Sequence, residues 1–353
     1  MDRFLRVGVI GAGRMGGHHA RIYSELSSCN LIAVVDKDLD RATKVASQYG
    51  AGAASCTSEV AAELDAVTVA VPTVYHAEVA IPLMEQGVAV LVEKPLAPDA
   101  LSARRLLEAS RRYGCVLRVG HSERFNPVVQ AMLRMEVTPR FIETHRISPF
   151  TFRSADIGVV FDMMIHDIDI VLHLTRQREC TIDVVGVSVL GQMEDVANAR
   201  VRFADGVVVN MTASRLALKT ERKIRVFSPM GYLSMDYQKK TGVAIKLADN
   251  LDLIRLAKER NFEDLSQMQS LDFGSMVKIE PLVVNDVEPL KAEIESFLSA
   301  VRTGATPGSG AAAGHAAAAS AEEGYAAVEL AERISNSIRE QGWSQQLDPR
   351  VGC

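Results

Sequence analysis

Residues 7–16 of this 353-residue chain read Val7-Gly8-Val9-Ile10-Gly11-Ala12-Gly13-Arg14-Met15-Gly16. A short apolar run breaks into glycines spaced Gly-x-Gly-x-x-Gly and then into an amphipathic stretch, and that order constrains the fold more than any other feature. A strand feeding a helix through so tight a turn gathers backbone N–H groups at the positive end of the helix, where the pyrophosphate of a dinucleotide can sit. Gly11 is expected to make the turn, Gly13 to admit the pyrophosphate and Gly16 to let helix and strand pack, with Ala12, Arg14 and Met15 completing the loop. Asp36, 20 residues past Gly16, ends the next apolar run. Its carboxylate would accept from ribose hydroxyls and repel a 2′-phosphate, which favours NAD; Lys37 beside it leaves NADP open. A glycine turn that binds nothing is the plainer alternative.

The first third continues this alternation. Val7–Ile10, Leu31–Val35, Ala66–Val71, Ala89–Val92 and Val116–Val119 are brief apolar runs, separated by the helical stretches Met15–Leu26, Asp40–Tyr49, His76–Glu85 and Pro98–Tyr113. Continuous apolar strands alternating with helices predict a parallel sheet covered on both faces. Asp99 and Ser102 sit where an N-cap belongs, and Gly114 where a helix stops. Beyond residue 120 come strand-like runs at Phe141–Ile147, Val184–Leu190, Ala197–Phe203, Val207–Ala213, Arg222–Phe227 and Tyr232–Tyr237, with turns at Ala204-Asp205-Gly206 and Ser228-Pro229-Met230-Gly231. Strands in such close succession predict an antiparallel sheet. The expected architecture is α/β: a Rossmann-type NAD(P)-binding domain over residues 1–120, then an α+β domain with a largely antiparallel open sheet over 121–353 for substrate binding and oligomerisation. The Ala-rich stretch around Ala311–Ala319 is expected to start the last helix, which runs through Ala331–Ile338.

Composition narrows the partners. Hydrophobic residues make up 48%, enough for cores, and a net charge of −5 supplies no positive field for nucleic acid or an anionic membrane. Five scattered cysteines suit neither a disulfide framework nor a zinc site, and they fit a reducing cytoplasm. The glycines after Val7 interrupt any secretory apolar run, and no stretch reaches the ~20 apolar residues of a membrane helix. A small molecule is the expected partner. An exposed antiparallel sheet would need cover, which points to a homodimer or homotetramer.

Several polar residues interrupt this pattern. Pro72 and Thr73 follow the third apolar run at the carboxyl edge where open α/β sheets bind ligands, and His76 follows within a turn. Each either touches the cofactor or merely ends the strand and caps the helix. Glu93-Lys94-Pro95 places a charged pair on the same edge, where Lys94 could hold a substrate hydroxyl beside the nicotinamide; a surface lysine is the alternative. Between Asp162 and Leu174 a helix otherwise apolar except for Asp167, at ~140°, carries Asp162, His166, Asp169 and His173 within one ~60° stripe. His166 is the candidate general base, since its ordinary pKa of about 6.5 suits a hydroxyl proton near neutrality. Asp162 would orient the imidazole or bind substrate, and His173 reads as a core histidine. A metal held by the stripe is the competing reading. Gly120-His121-Ser122-Glu123-Arg124-Phe125-Asn126-Pro127, at the domain seam, suits either a ligand cleft, with Arg124 and Asn126 on substrate, or an interdomain hydrogen-bond network.

Taken together, Gly11–Gly16 continuing into Gly17-His18-His19-Ala20, then Glu93-Lys94-Pro95, then Asp162-Met163-Met164-Ile165-His166-Asp167-Ile168-Asp169 resemble the glucose–fructose oxidoreductase / inositol dehydrogenase / rhizopine-catabolism (Gfo/Idh/MocA) family. The resemblance covers nearly the whole chain. It implies hydride exchange between NAD(P) and a sugar or polyol carbon, with Lys94, Asp162 and His166 catalytic and no metal. The Gly-His-x-Glu-Arg-Phe-Asn-Pro stretch looks most like the branch that dehydrogenates carbon 3 of UDP-N-acetylglucosamine. A glycosidase working through transient carbon-3 oxidation, and a non-catalytic NAD sensor, stay open as alternatives.

Overall fold

The computed structural model describes residues 4–341 except 136, 152–156, 191, 230, 248–276 and 305–317. The first part alternates β1 (Leu5–Ile10), α1 (Arg14–Glu25), β2 (Cys29–Val35), α2 (Leu39–Gln48), β3 (Gly52–Ala54), β4 (Ala66–Val69), α3 (His76–Glu85), β5 (Ala89–Glu93), α4 (Ala100–Tyr113) and β6 (Leu117–Gly120). These strands pair in parallel in the order β3-β2-β1-β4-β5-β6. The order reverses between β1 and β4, and at such a switch point the loops part to leave a crevice for a ligand. Runs such as Val67, Val69, Val90 and Val92 are fully buried because helices cover both faces of the sheet. The expected caps of α4 form: Asp99 accepts from the Ser102 N–H at 2.7 Å, and Gly114 takes φ +63°.

The second part holds α5 (Pro127–Leu133), β7 (Phe141–Ile147), a π-helical turn at Val160–Met164 running into α6 (Ile165–Thr175), and β8 (Cys180–Val187), β9 (Val196–Phe203), β10 (Val208–Ser214), β11 (Glu221–Ser228), β12 (Gly231–Asp236), β13 (Thr241–Leu247) and β14 (Val277–Pro281). Its sheet runs β14-β13-β12-β11-β7-β10-β9-β8. Every pairing is antiparallel except β7 with β10, because the connection carrying α6, β8 and β9 returns the chain alongside β7 in the same sense. On β7 and β9, inward residues such as Ile142, Ala197, Ala199 and Val201 are buried, while Asn198, Arg200 and Arg202 stay exposed on the open face.

The division expected at Gly120 is not clean in chain order. Helix α7 (Pro289–Thr303) returns to the first domain, burying Ile294, Phe297 and Leu298 beside Ile22 and Tyr23 of α1. Burial of each such side chain is worth about 1.5–3 kcal/mol. β15 (Ala319–Ser320) adds an antiparallel strand to β6, and α8 (Ala321–Glu340) then spans both cores, with Val328 in one and Leu330 and Ile334 in the other. The Ala-rich segment expected to start this last helix lies, over residues 305–317, outside the described residues; α8 itself begins at Ala321 behind a Ser320 and Glu323 capping box.

Candidate active site

The glycine loop is shaped from within. Gly11 takes φ +100°, and a Cβ there would lie 2.6 Å from the Ala70 carbonyl oxygen; one on Gly16 would lie 1.7 Å from the Gly11 carbonyl oxygen. Gly13 is different: a Cβ added to it meets nothing within 4 Å. Its bareness serves no internal packing, and it opens the start of α1, whose first turn has no acidic side chain and no side-chain cap. Asp36 braces the loop, its Oδ2 accepting from the Ala12 N–H at 2.8 Å and its Oδ1 from the Asp38 N–H at 3.0 Å. Donors at a bare helix start and a carboxylate at the end of the next strand fit a dinucleotide. Gly16→Ala should therefore lower the melting temperature and abolish NAD binding together. Gly13→Ala should melt like the parent while its Kd for NAD rises about tenfold or more; calorimetric titration beside thermal melting separates the two, and an unchanged Kd in Gly13→Ala would refute this account of the loop.

Lys94 directly follows β5 and is joined to Pro95 by a cis peptide bond. Its ammonium crosses the seam, donating to the Asp162 carbonyl at 2.8 Å and lying 3.7 Å from Asp162 Oδ1. Lys94, Asp162 and His166 line one cleft of about 620 Å³, together with Arg14, Met15, His18, Glu123, Asn126, Arg146, Arg215 and Arg222. Burial lowers the Lys94 pKa from its usual range, and the neighbouring charge of Arg146 adds to this, against the pull of Asp162 and Glu93. Burial, with Lys94 and Arg146 beside it, also drives the His166 pKa well below 6.5, so the imidazole is neutral at pH 7. His166 Nδ1 is enclosed with no partner among the described residues, which leaves Nε2 as the accessible nitrogen. The turn that carries Asp162 is held from outside: Glu194 accepts from the Val160 N–H through Oε1 at 3.3 Å and from the Val159 N–H through its carbonyl at 3.0 Å.

The helical stripe divides. Its first half, Asp162 and His166, faces the cleft. In its second half, Asp169 accepts from Arg124 Nε and Nη2 at 2.6 Å each, and His173 Nδ1 lies 3.1 Å from Glu323 Oε1. The 100° projection breaks down because Asp162 sits in the wider π turn, before α6 begins. Arg124, expected on substrate, is instead 2% exposed and also bound to Glu323 at 3.0 Å. His76, expected on the cofactor, is 1% exposed, with Nε2 3.0 Å from the Val71 carbonyl and Nδ1 3.1 Å from that of Pro95; it ties the strand ends together. Asn126 lines the cleft while donating to Glu123 and capping α5. Glu93 turns inward to His19 Nε2 at 2.7 Å, and Pro72 and Thr73 lie beside the switch point after β4. Among the described residues no three His, Cys, Asp or Glu side chains gather as a metal site would require.

Arg146, Arg215, Arg222 and Glu194 were not anticipated. The alternation itself carried a signal for one of them: Arg146 follows the buried Ile142 and Thr144 on the inward side of β7, whereas Arg222, near the start of β11, is exposed. An arginine at an inward strand position asks for a partner.

Residues 5–121 match the oxidoreductase family with an NAD-binding Rossmann fold (Gfo/Idh/MocA), and residues 131–234 match the C-terminal domain of the same family. A UDP-N-acetylglucosamine 3-dehydrogenase from Acidithiobacillus ferrooxidans is 36% identical over 238 residues, covering 67% of this chain and 75% of that protein. The chain belongs to the Gfo/Idh/MocA family. It is accordingly an NAD-binding oxidoreductase, similar to named sugar and polyol dehydrogenases. The solved structure of the Acidithiobacillus enzyme superposes with a TM-score of 0.81 at 28% identity, covering 98% of this chain and all of that one. An inositol 2-dehydrogenase from Rhizobium meliloti is 25% identical over 354 residues, 96% of this chain and 98% of that protein. As in other members of this Gfo/Idh/MocA family, a Rossmann domain is followed by a mostly antiparallel sheet.

Proposed function

We propose that this protein oxidises a ring hydroxyl of a nucleotide-linked amino sugar, carbon 3 of a UDP-linked N-acetylhexosamine, with NAD as acceptor. The observation that carries the chemistry is the contact between Lys94 Nζ and the Asp162 carbonyl, which joins the cofactor edge of one domain to the helix bearing His166 in the other. The similarity to the UDP-N-acetylglucosamine 3-dehydrogenase supports the choice of substrate.

Bound NAD supplies the two-electron acceptor. His166 takes the hydroxyl proton at Nε2 as the carbinol carbon gives up its hydride, leaving a ketone. Lys94 retains N–H donors beyond the one spent on Asp162, and these stabilise the negative charge that grows on the oxygen. Asp162 holds the ammonium in line with the imidazole. Asp36 at the glycine loop favours NAD over NADP.

NADH formation measured against UDP-N-acetylglucosamine, N-acetylglucosamine and myo-inositol, with NAD and NADP in parallel, tests the reading. Turnover with NAD on the nucleotide sugar is expected; turnover confined to inositol or the free sugar would overturn the substrate assignment.

A further inference from the structure

The register of β7 against β11 sets Arg146 directly opposite Arg222. Arg146 is buried on the side of β7 that carries Ile142 and Thr144 into the core, whereas Arg222, near the start of β11, is exposed at the cleft. Like charges directly opposed across a strand pair destabilise it, and a buried charge such as that of Arg146 needs partners. Arg146 is fully compensated. Asp167 accepts from its Nε and Nη2 at 3.0 and 2.8 Å, and Glu123 from its Nη1 at 2.9 Å. Arg222 has neither an ion pair nor a guanidinium hydrogen bond among the described residues.

The charge balance of the cleft makes this vacancy informative. Of the lining carboxylates, Glu123 is taken by Arg146 and Asp162 by Lys94. Arg215 is committed to Asp195 at 2.6 Å and to the Ile157 carbonyl at 2.7 Å. Arg14, at the glycine loop, and Arg222, across the cleft on the second domain, remain without a partner among the described residues. Arg14 lies in the glycine loop at the start of α1, and Arg222 lies on β11 of the second sheet. An arginine set directly opposite a second arginine and given no bonded partner departs from ordinary cross-strand charge pairing, and such departures gather at binding sites.

We propose that Arg222 receives an oxyanion of the substrate, a phosphate oxygen of its diphosphate, and so distinguishes a nucleotide-linked sugar from an uncharged polyol. This rests on the function proposed above. A guanidinium presents two parallel N–H donors to such a group, and the Arg146 charge opposite raises the gain from filling the site with an anion. A sugar carboxylate would offer similar chemistry, so the test separates the two sources.

Calorimetric titration of the NADH-loaded protein with UDP, N-acetylglucosamine 1-phosphate and glucuronate, on wild type, Arg222→Gln and Arg222→Lys, reads the site directly. The glutamine variant should bind UDP about 10–100-fold more weakly, with the lysine variant between. The KM for UDP-N-acetylglucosamine should rise by the same factor while kcat changes far less, and the melting temperature should hold or rise. Oxidation of UDP-N-acetylglucosamine by Arg222→Gln with the wild-type KM would overturn this assignment and leave the proposed function standing. Loss of UDP affinity in a protein that does not oxidise the nucleotide sugar would do the reverse. A variant that loses glucuronate but keeps UDP would replace the diphosphate with a carboxylate and overturn the proposal.

Discussion

Alanine at His166, and separately at Lys94, is expected to lower kcat by about 10²–10⁴-fold while NAD binding persists. The two losses should differ in their pH dependence. In the intact protein burial, together with the charges of Lys94 and Arg146, holds the His166 pKa well below 6.5, so the neutral, proton-accepting imidazole is already present at pH 7. Activity should be flat downward through pH 6.5 and fall only as pH drops through that depressed value. On the alkaline side the ammonium of Lys94 must stay protonated. Burial lowers its pKa from 10.5, so the falling limb begins sooner than for an ordinary lysine. Lys94→Arg keeps a cation at all accessible pH values and should remove the alkaline limb even where its rate is poor. Steady-state kcat/KM between pH 5 and pH 10 measures both limbs. Full activity in His166→Ala, or an acid limb that stays put in every variant, would assign the base to another residue.

The first domain was legible because its sheet is buried on both faces, so each strand announces itself as an unbroken apolar run between helices. Val67–Val69 and Val90–Val92 can be read without any knowledge of what covers them. Helix α7 shows the opposite situation. Its Ile294, Phe297 and Leu298 fit a surface formed by β1, β2 and α1 more than 250 residues earlier, and nothing local in the sequence names that destination. The parallel pairing of β7 with β10 was likewise hidden, since turn residues specify hairpins and leave longer returns unspecified. In the site, residue types were legible and orientations were not. The stripe from Asp162 to His173 was visible as ionisable side chains on an apolar helix, yet which half faces substrate depends on Arg124 and Glu323. Those two residues lie 199 positions apart. Periodicity describes one element's faces; it does not identify the neighbour on each face.

Arg124 is where that distinction has its largest energetic consequence. Its guanidinium is 2% exposed and makes three bonds, two to Asp169 and one to Glu323. Burial raises the Glu323 carboxyl, but the hydrogen bond with His173 and the Arg124 charge outweigh it and hold that group far below the usual carboxylate range. A carboxyl whose folded pKa is depressed contributes stability above its unfolded pKa of about 4.3 and loses it as pH falls through the folded value. Arg124→Met strips Asp169 of both its guanidinium bonds and removes one partner of Glu323, which keeps His173 and the Ser320 N–H; stranding the Asp169 charge inside the seam costs about 3–5 kcal/mol. The expected result is a clear drop in denaturant midpoint at pH 7 that narrows toward low pH, because the stability that Glu323 gains from Arg124 in the parent is lost as Glu323 protonates. Adding Asp169→Leu to Arg124→Met should recover part of the loss at pH 7. Because Arg124 does not line the cleft, KM should move little in whatever fraction remains folded. A rise in KM with an unaltered denaturant midpoint would return Arg124 to the substrate-binding role that the sequence alone suggested.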